Sequence, residues 1–284
     1  MTQVITVQRH PRDRLLRYER LPHIWCPGCG IGIVMAAYAE AIEASGIPPE
    51  KHVCISGIGC TGRVAGYMNL DSYHTTHGRP IAFATGLSLV KPDLEVTVVS
   101  GDGDICTIGG NHLIHAARRN VDINVIMVNN FNYGMTGGQH GGTTPLGAKT
   151  YTTPFGNIET PFNIPYLLAA AGASFVARWT TLHVRQLINA IKHMMTVEGF
   201  AFMEVISPCP PTFGEFNKFP EAVDMMEYFR KHCVIDHNAD LSKIGVELKG
   251  EPLVVGNFVD RRRPSYQELV QQLISRAMEG GGEV

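Results

Sequence analysis

The stretch EVTVVSGDGD, residues 95–104, joins a β-branched apolar run to an aspartate held between glycines. A run that is apolar on both faces, with no alternation, is the pattern of a fully buried parallel strand. A second run of this kind, INVIMV at 123–128, follows a segment that reads as a helix over 105–119. It ends in Asn129-Asn130, with 25 residues between Gly103 and Asn129. Parallel strands finish at the same edge of a sheet, so Asp102 and Asn130 are expected side by side in the crevice there.

Outward from this pair the rhythm continues. Residues 28–45 and 79–90 read as helices, 52–56 as a short strand, and a further helix is expected to begin near Thr61. Residues 174–177, 182–196 and 201–206 read strand, helix, strand. This alternation implies an α/β fold, a doubly wound parallel sheet with helices on both faces. The stretch 129–161 is rich in Gly, Thr and Pro and is expected as a long ordered loop, a type that is usually functional. After about Pro220 the rhythm is lost, and the expectation is a peripheral or partner-wrapping C-terminal extension ending in Gly280–Gly282. The division expected is an N-terminal arm at 1–24, a cofactor-binding domain at 25–219 and the extension at 220–284.

The residue types at the two strand ends suit a metal and phosphates. A carboxylate, an amide oxygen and a nearby backbone carbonyl are the hard ligands Mg²⁺ takes while sharing its other positions with phosphate and water. Glycines flanking Asp102 let backbone approach an anion, and the following helix N-terminus favours one. GDG followed some twenty-odd residues later by NN is the spacing of the thiamine diphosphate motif. A plain Gly-Asp turn and an Asn-Asn turn are the alternative. Gly57-Ile58-Gly59-Cys60-Thr61-Gly62 also fits G-x-G-x-x-G, but no acidic residue lies between Asp71 and Asp93 to hold a ribose, so the dinucleotide reading fails.

Composition narrows the class. Of 30 glycines, 20 fall between Gly28 and Gly147, which suggests backbone held close to a ligand. A net charge of −2 argues against a nucleic-acid partner. Charged residues make up only 18%, against a usual ~25%, so much surface is expected to be buried, some of it against another chain. The charged start MTQVITVQRHPRDR has no apolar core of a signal peptide, and no run has the ~20 apolar residues of a membrane helix; a cytoplasmic protein is expected. There the seven cysteines are expected as thiols or metal ligands. Trp25-Cys26-Pro27-Gly28-Cys29-Gly30 supplies a C-x-x-C pair, Cys60 sits in a glycine turn, and Cys209 stands between prolines in SPCPP. Cys54, Cys106 and Cys233 lie in apparent strands or helices, as small buried hydrophobes.

The ordered set WCPGCG, GIGCTG, HTTHGR, GDGD, VNNFNYGMTGGQ and SPCPP resembles the β subunit of the 2-oxoacid:ferredoxin oxidoreductases, closest to the 2-oxoglutarate type through YGMTGGQ and the following TTP and TPFG. The resemblance runs from about Trp25 to Lys218. It implies that Cys26, Cys29, Cys60 and Cys209 bind one [4Fe–4S] cluster. It likewise implies that Asp102, Asn130 and the backbone carbonyl of Asn132 bind Mg²⁺. Ile58, Gly59, Cys60, Thr61, His77, Gly101, Asp102, Gly103, Asp104, Gly134 and Met135 fall where the family contacts thiamine diphosphate. Arg63 falls where a basic residue faces the substrate, and a cation there could hold the distal carboxylate of a dicarboxylic oxoacid. Its alternative is a surface arginine at a helix start.

The activity implied is CoA-dependent oxidative decarboxylation of 2-oxoglutarate to succinyl-CoA, with electrons leaving singly through the cluster to ferredoxin. The chain has length for a diphosphate-binding domain only. By the resemblance, the pyrimidine-binding domain comes from an α subunit in an (αβ)₂ assembly, and the chain alone is inactive. Three other readings compete: a structural zinc protein, a non-oxidative thiamine enzyme, and a family member using pyruvate or another 2-oxoacid.

Overall fold

A computed structural model describes residues 10–248 and 250–279; the first part of the expected N-terminal arm and the glycines at 280–282 lie outside them. Along the chain run α1 (Ile31–Ser45), β1 (His52–Ser56), α2 (Val64–Tyr67), β2 (Asp71–His74), α3 (Pro80–Val90), β3 (Glu95–Gly101), α4 (Gly110–Arg119) and β4 (Ile123–Asn129). There follow α5 (Ile164–Ala171), β5 (Phe175–Thr180), α6 (Val184–Met194), β6 (Phe200–Ile206), α7 (Ala222–His232), β7 (Cys233–Ile235), β8 (Leu253–Asp260) and α8 (Tyr266–Met278). The eight strands form one sheet in the order β2-β1-β3-β4-β6-β5-β8-β7. Every pairing is parallel except β5 with β8.

The continuous apolar runs are explained by burial on both faces. Val96, Val98 and Val125 pack with Ile81, Leu113 and Phe202 on one side, while Val99, Ile126 and Val128 pack with α1 and α6 residues such as Val34, Tyr38 and Leu187 on the other. Helix α1 carries no charge before Glu40 and stops where Gly46 turns left-handed at φ 76°. The doubly wound sheet is as the sequence implies.

Three local expectations differ from the structure. The helix expected near Thr61 is brief, because the chain soon enters β2, whose four residues are all exposed on the sheet's edge and so carry no hydrophobic period. The helix expected over 105–119 is split. Its first part is a wide turn at Gly103–Ile108 closed by the Gly109 N–H on the Asp104 carbonyl at 3.0 Å, a π-type geometry common at functional sites. The segment after Pro220 is no loose tail: β8 pairs with β5, β7 with β8, and Ala222 at the start of α7 fills the space beside Gly28. Its strands were hidden because LVVGNFVD alternates imperfectly and is interrupted by Gly256.

Glu95, at the start of β3, supplies a test of how burial trades against charge. Burial, and then the Asp122 carboxylate, push its carboxyl up to about 7 despite a hydrogen bond from Asn124. A carboxyl raised above its usual ~4.3 on folding contributes stability below that pH and loses it as pH climbs through the folded value. Glu95→Gln keeps an acceptor for Asn124 and is expected to raise the melting temperature at pH 8 but not at pH 4. Equal shifts in thermal melts at the two pH values would contradict this.

Candidate active site

Strands β1, β3, β4 and β6 release their loops at one edge. Gly101 of β3 pairs with Val128 of β4, and Asn129 with Ile206 of β6, so GDGD, NNFN and SPCP leave the sheet at nearly one level. The loop after β1 adds Ile58, Gly59, Cys60 and Thr61, and the turn before α3 adds His77. These residues line one cleft with Gly101, Asp102, Gly103 and Asp104, and with Asn130, Asn132, Gly134 and Met135. All the residues singled out for the cofactor and Mg²⁺ are therefore gathered in a single place.

Inside the cleft three oxygens converge. The Asn130 side-chain oxygen, as placed, lies 2.9 Å from the Asn132 carbonyl oxygen and 3.2 Å from Asp102 Oδ1. Turning the amide over would convert both contacts into hydrogen bonds. Left as placed, they match the edges of an octahedron, since Mg–O bonds of ~2.1 Å set neighbouring oxygens ~3 Å apart. The donor set and its spacing fit Mg²⁺. Burial pushes the Asp102 carboxyl up to about 7, offset in part by the Thr143 hydroxyl that donates to it. Phe131, between the two asparagines, is wholly buried with a left-handed φ of 68°, a strained setting for an aromatic residue. That turn carries Asn130 and Asn132 to the same side.

Asp104 holds the cleft's walls together from behind. Its Oδ1 accepts from the Gly78 N–H at 2.7 Å and the Ile58 N–H at 3.3 Å and pairs with His77 Nδ1 at 2.5 Å; its Oδ2 accepts from Ser100 Oγ at 2.8 Å. Two loops and the end of β3 thus close on one buried carboxylate. Gly57 is required by this packing, because a Cβ there would lie 1.9 Å from Asp104 Oδ2. His77 lines the cleft, and its Nε2 has no hydrogen-bond partner among the described residues.

Beside the cleft, Cys26, Cys29, Cys60 and Cys209 line a second cavity, all as free thiols. Burial and the nearness of the other three push Cys29 up to about 12; burial, Cys209 and Cys26 push Cys60 up to about 11. Among the described residues no three His, Cys, Asp or Glu stand close enough to share one metal ion. Four cysteines lining one cavity are the ligand type that an iron–sulfur cluster takes. Trp25 Nε1 donates to the Cys60 carbonyl at 2.8 Å, and Cys209 Sγ lies 2.9 Å from Thr212 Oγ1. Cys60, Asn130, Gly134 and Met135 border both cavities. A Cβ on Gly134 would stand 3.3 Å from Asn132 Oδ1 and 3.4 Å from Cys209 Sγ, so it occupies the seam between them.

Arg63 is placed differently. It is exposed at the end of the Thr61–Arg63 turn and does not line the cleft. Cys54 and Cys106 are buried and line neither cavity, and Cys233 is half-buried in β7. Sequence reasoning passed over Tyr133 and Thr136, which line the cleft, and Thr143, which bonds Asp102. Tyr133 sits within the quoted NNFNYG, and Gly103 is needed beneath it, where a Cβ would meet its ring at 2.3 Å. Thr143 leaves no trace, since a loop hydroxyl 41 positions away carries no periodic signal.

Removing the Asp104 carboxylate leaves buried donors unmet, at about 1–3 kcal/mol each. Asp104→Ala is expected to lower the melting temperature by several degrees and to speed hydrogen exchange at the Ile58 and Gly78 amides. Unchanged exchange at those two amides would contradict the clamp.

Residues 57–205 match the family described as thiamine pyrophosphate enzyme, C-terminal TPP binding domain. The 2-oxoglutarate synthase subunit KorB of Methanocaldococcus jannaschii is 48% identical over 268 residues, 94% of this chain and 98% of that protein. The KorB of Archaeoglobus fulgidus is 43% identical over 258 residues, 91% of this chain and 92% of that protein. Among solved structures, 2-oxoglutarate:ferredoxin oxidoreductase from Magnetococcus marinus, with 2-oxoglutarate, coenzyme A and succinyl-CoA bound, matches with a TM-score of 0.83 at 31% identity, over 98% of this chain and 94% of that one. No helix among the described residues is long and apolar enough to cross a membrane. With the cleft at the sheet edge and near-full-length identity pointing the same way, the chain belongs to the KorB family, the thiamine pyrophosphate-enzyme β subunits of 2-oxoglutarate:ferredoxin oxidoreductases.

Proposed function

We propose that this subunit holds thiamine diphosphate through Mg²⁺ in the cleft and one [4Fe–4S] cluster in the thiol cavity, and serves CoA-dependent oxidation of 2-oxoglutarate to succinyl-CoA with ferredoxin as acceptor. The observation that carries this reading is the shared wall: the oxygen trio and the four thiols open onto neighbouring cavities bordered by the same Cys60 and Gly134. When bound, the thiamine group supplies the electron sink for loss of CO₂ and the cluster accepts electrons one at a time. Asp102, Asn130 and the Asn132 carbonyl would hold the metal, and Gly59 and Gly103 let the phosphates approach backbone. His77, fixed by Asp104 through Nδ1, presents Nε2 as a hydrogen-bonding group. Cys26, Cys29, Cys60 and Cys209 lose their protons to bind iron, which removes the cost of crowding four thiols. The unpaired cysteines support a reducing, cytoplasmic setting.

Arg63 is proposed as the contact for the distal carboxylate. Its exposure beside the Cys60 turn suits a group that meets substrate only when a partner closes over the cleft. That partner is the α subunit bringing the pyrimidine-binding domain, in an (αβ)₂ assembly. The loop after the asparagine pair supports such a cover. Tyr151, Phe155 and Ile158 are 71%, 99% and 91% exposed, although the loop is pinned by Asn157, which donates to the Thr144 and Glu159 carbonyls at 2.8 and 2.9 Å. Rigidly displayed apolar side chains mark an interface.

The complex of this chain with its α subunit is expected to be brown, to contain four irons per β chain, and to bleach with dithionite. It is expected to reduce viologen with 2-oxoglutarate and CoA and to prefer that acid over pyruvate; Arg63→Ala is expected to erase the preference. A colourless, zinc-loaded protein, eight irons per chain, or an unchanged preference in Arg63→Ala would each overturn the corresponding part. Phe155→Ser with Ile158→Ser is expected to weaken α–β association at least tenfold in analytical ultracentrifugation while leaving the isolated chain's melting temperature unchanged. Association at the original strength would remove the loop from the interface.

A further inference from the structure

Behind the oxygen trio runs a buried polar row that the proposed chemistry does not use. It crosses three neighbouring strands on one face of the sheet: Asn129 of β4, Glu204 of β6 and Arg178 of β5. Arg178 is 0% exposed, Glu204 1% and Asn129 2%. Arg178 Nε donates to Glu204 Oε2 at 2.6 Å, and Nη1 donates to the Ile244 carbonyl at 2.7 Å. Asn129 Nδ2 donates to Glu204 Oε1 at 2.8 Å. The Phe131 N–H donates in turn to Asn129 Oδ1 at 3.1 Å.

The direction of this row is forced. With Arg178 donating to one oxygen, Glu204 offers Asn129 only an acceptor, so the amide nitrogen must face it. The Asn129 oxygen then points at the Phe131 N–H, and Phe131 is the residue with the left-handed backbone. A buried ion pair is a poor device for stability alone, because desolvation offsets its attraction and an apolar replacement serves as well or better. Here Arg178 Nη2 is even left without a partner. At its β4 end the row meets the turn that carries Asn130 and Asn132.

We propose that Glu204 and Asn129 are positioning residues for the Mg²⁺ site: Glu204 fixes the Asn129 amide, which holds Phe131 in the turn that brings the Asn130 and Asn132 oxygens together with Asp102. Arg178 acts one step further back, holding Glu204. The inference rests on the proposed reading of Asp102, Asn130 and Asn132 as metal ligands.

The test uses the complex with its α subunit, stripped of cation, in excess thiamine diphosphate, and titrated with MnCl₂ while free Mn²⁺ is read by EPR. Glu204→Gln offers Asn129 an amide where it needs an acceptor, and Asn129→Asp sets two carboxylates face to face. Each is expected to bind Mn²⁺ at least ~10-fold more weakly, the range seen when ligand-orienting groups are lost. The double variant, Asn129→Asp with Glu204→Gln, restores a donor facing an acceptor in reverse order and is expected to recover most of the loss. Recovery of that kind is not expected of a residue that only fills space. Where a single variant does not assemble, Asn129→Ala keeps the Arg178–Glu204 pair whole and carries the same expectation. Single variants that titrate like the wild type, or a double variant no tighter than the weaker single, would overturn the inference. A wild-type complex that takes up no Mn²⁺ would overturn the metal reading itself, and the inference with it.

Discussion

In a parallel sheet all strands carry their C-terminal ends to one edge, and this constraint organises everything else in the molecule. Four strands here stop within three residues of one another in register, so their loops compete for the same small volume. Such crowding selects residues with little side chain and groups with partners. Glycine supplies the first, at Gly57 and Gly103. Asp104 supplies the second, by gathering partners from two loops and from the end of β3 on one carboxylate.

The same crowding gives the site its electrostatic character. Burial makes the charged forms of its carboxylate and thiols costly: Asp102 is pushed up to about 7 and Cys29 up to about 12. Each group is held where a cation would repay that cost, and the surrounding fold keeps it there. Preorganisation of this sort is paid from the two apolar layers flanking the sheet, whose side chains are almost entirely enclosed.

Much of this was legible in the linear sequence because it rests on short, local signals. EVTVVS and INVIMV announce buried strands, and GDG and NN follow them directly, so the meeting of Asp102 with Asn130 needs only the rule of parallel strand ends. The family resemblance, not the spacing, linked Cys209 to the C-x-x-C pair. What escaped depended on distant partners. β2 is all exposed, and β8 is antiparallel and far along the chain, so neither carries the local period of the core strands. Arg178 reads as the end of a strand because a charge breaks its apolar run, yet β5 continues to Thr180 since Glu204 neutralises that charge from the next strand. Thr143 and the left-handed Phe131 depend on backbone geometry that no residue pattern prints.

The seam at Gly134 has a consequence for how such a protein can change over time. Gly134 lies against both Asn132 and Cys209, and it, Cys60 and Met135 border both cavities. Any substitution that reshapes one cavity at this wall reshapes the other, so the inner face is closed to gradual retuning. Diversification is left to parts that line neither cavity: the exposed Arg63, the displayed loop around Phe155, and whatever surface the second subunit brings. Relatives that differ in substrate are therefore expected to differ at the rim and in the partner, with the shared wall inherited as a single block.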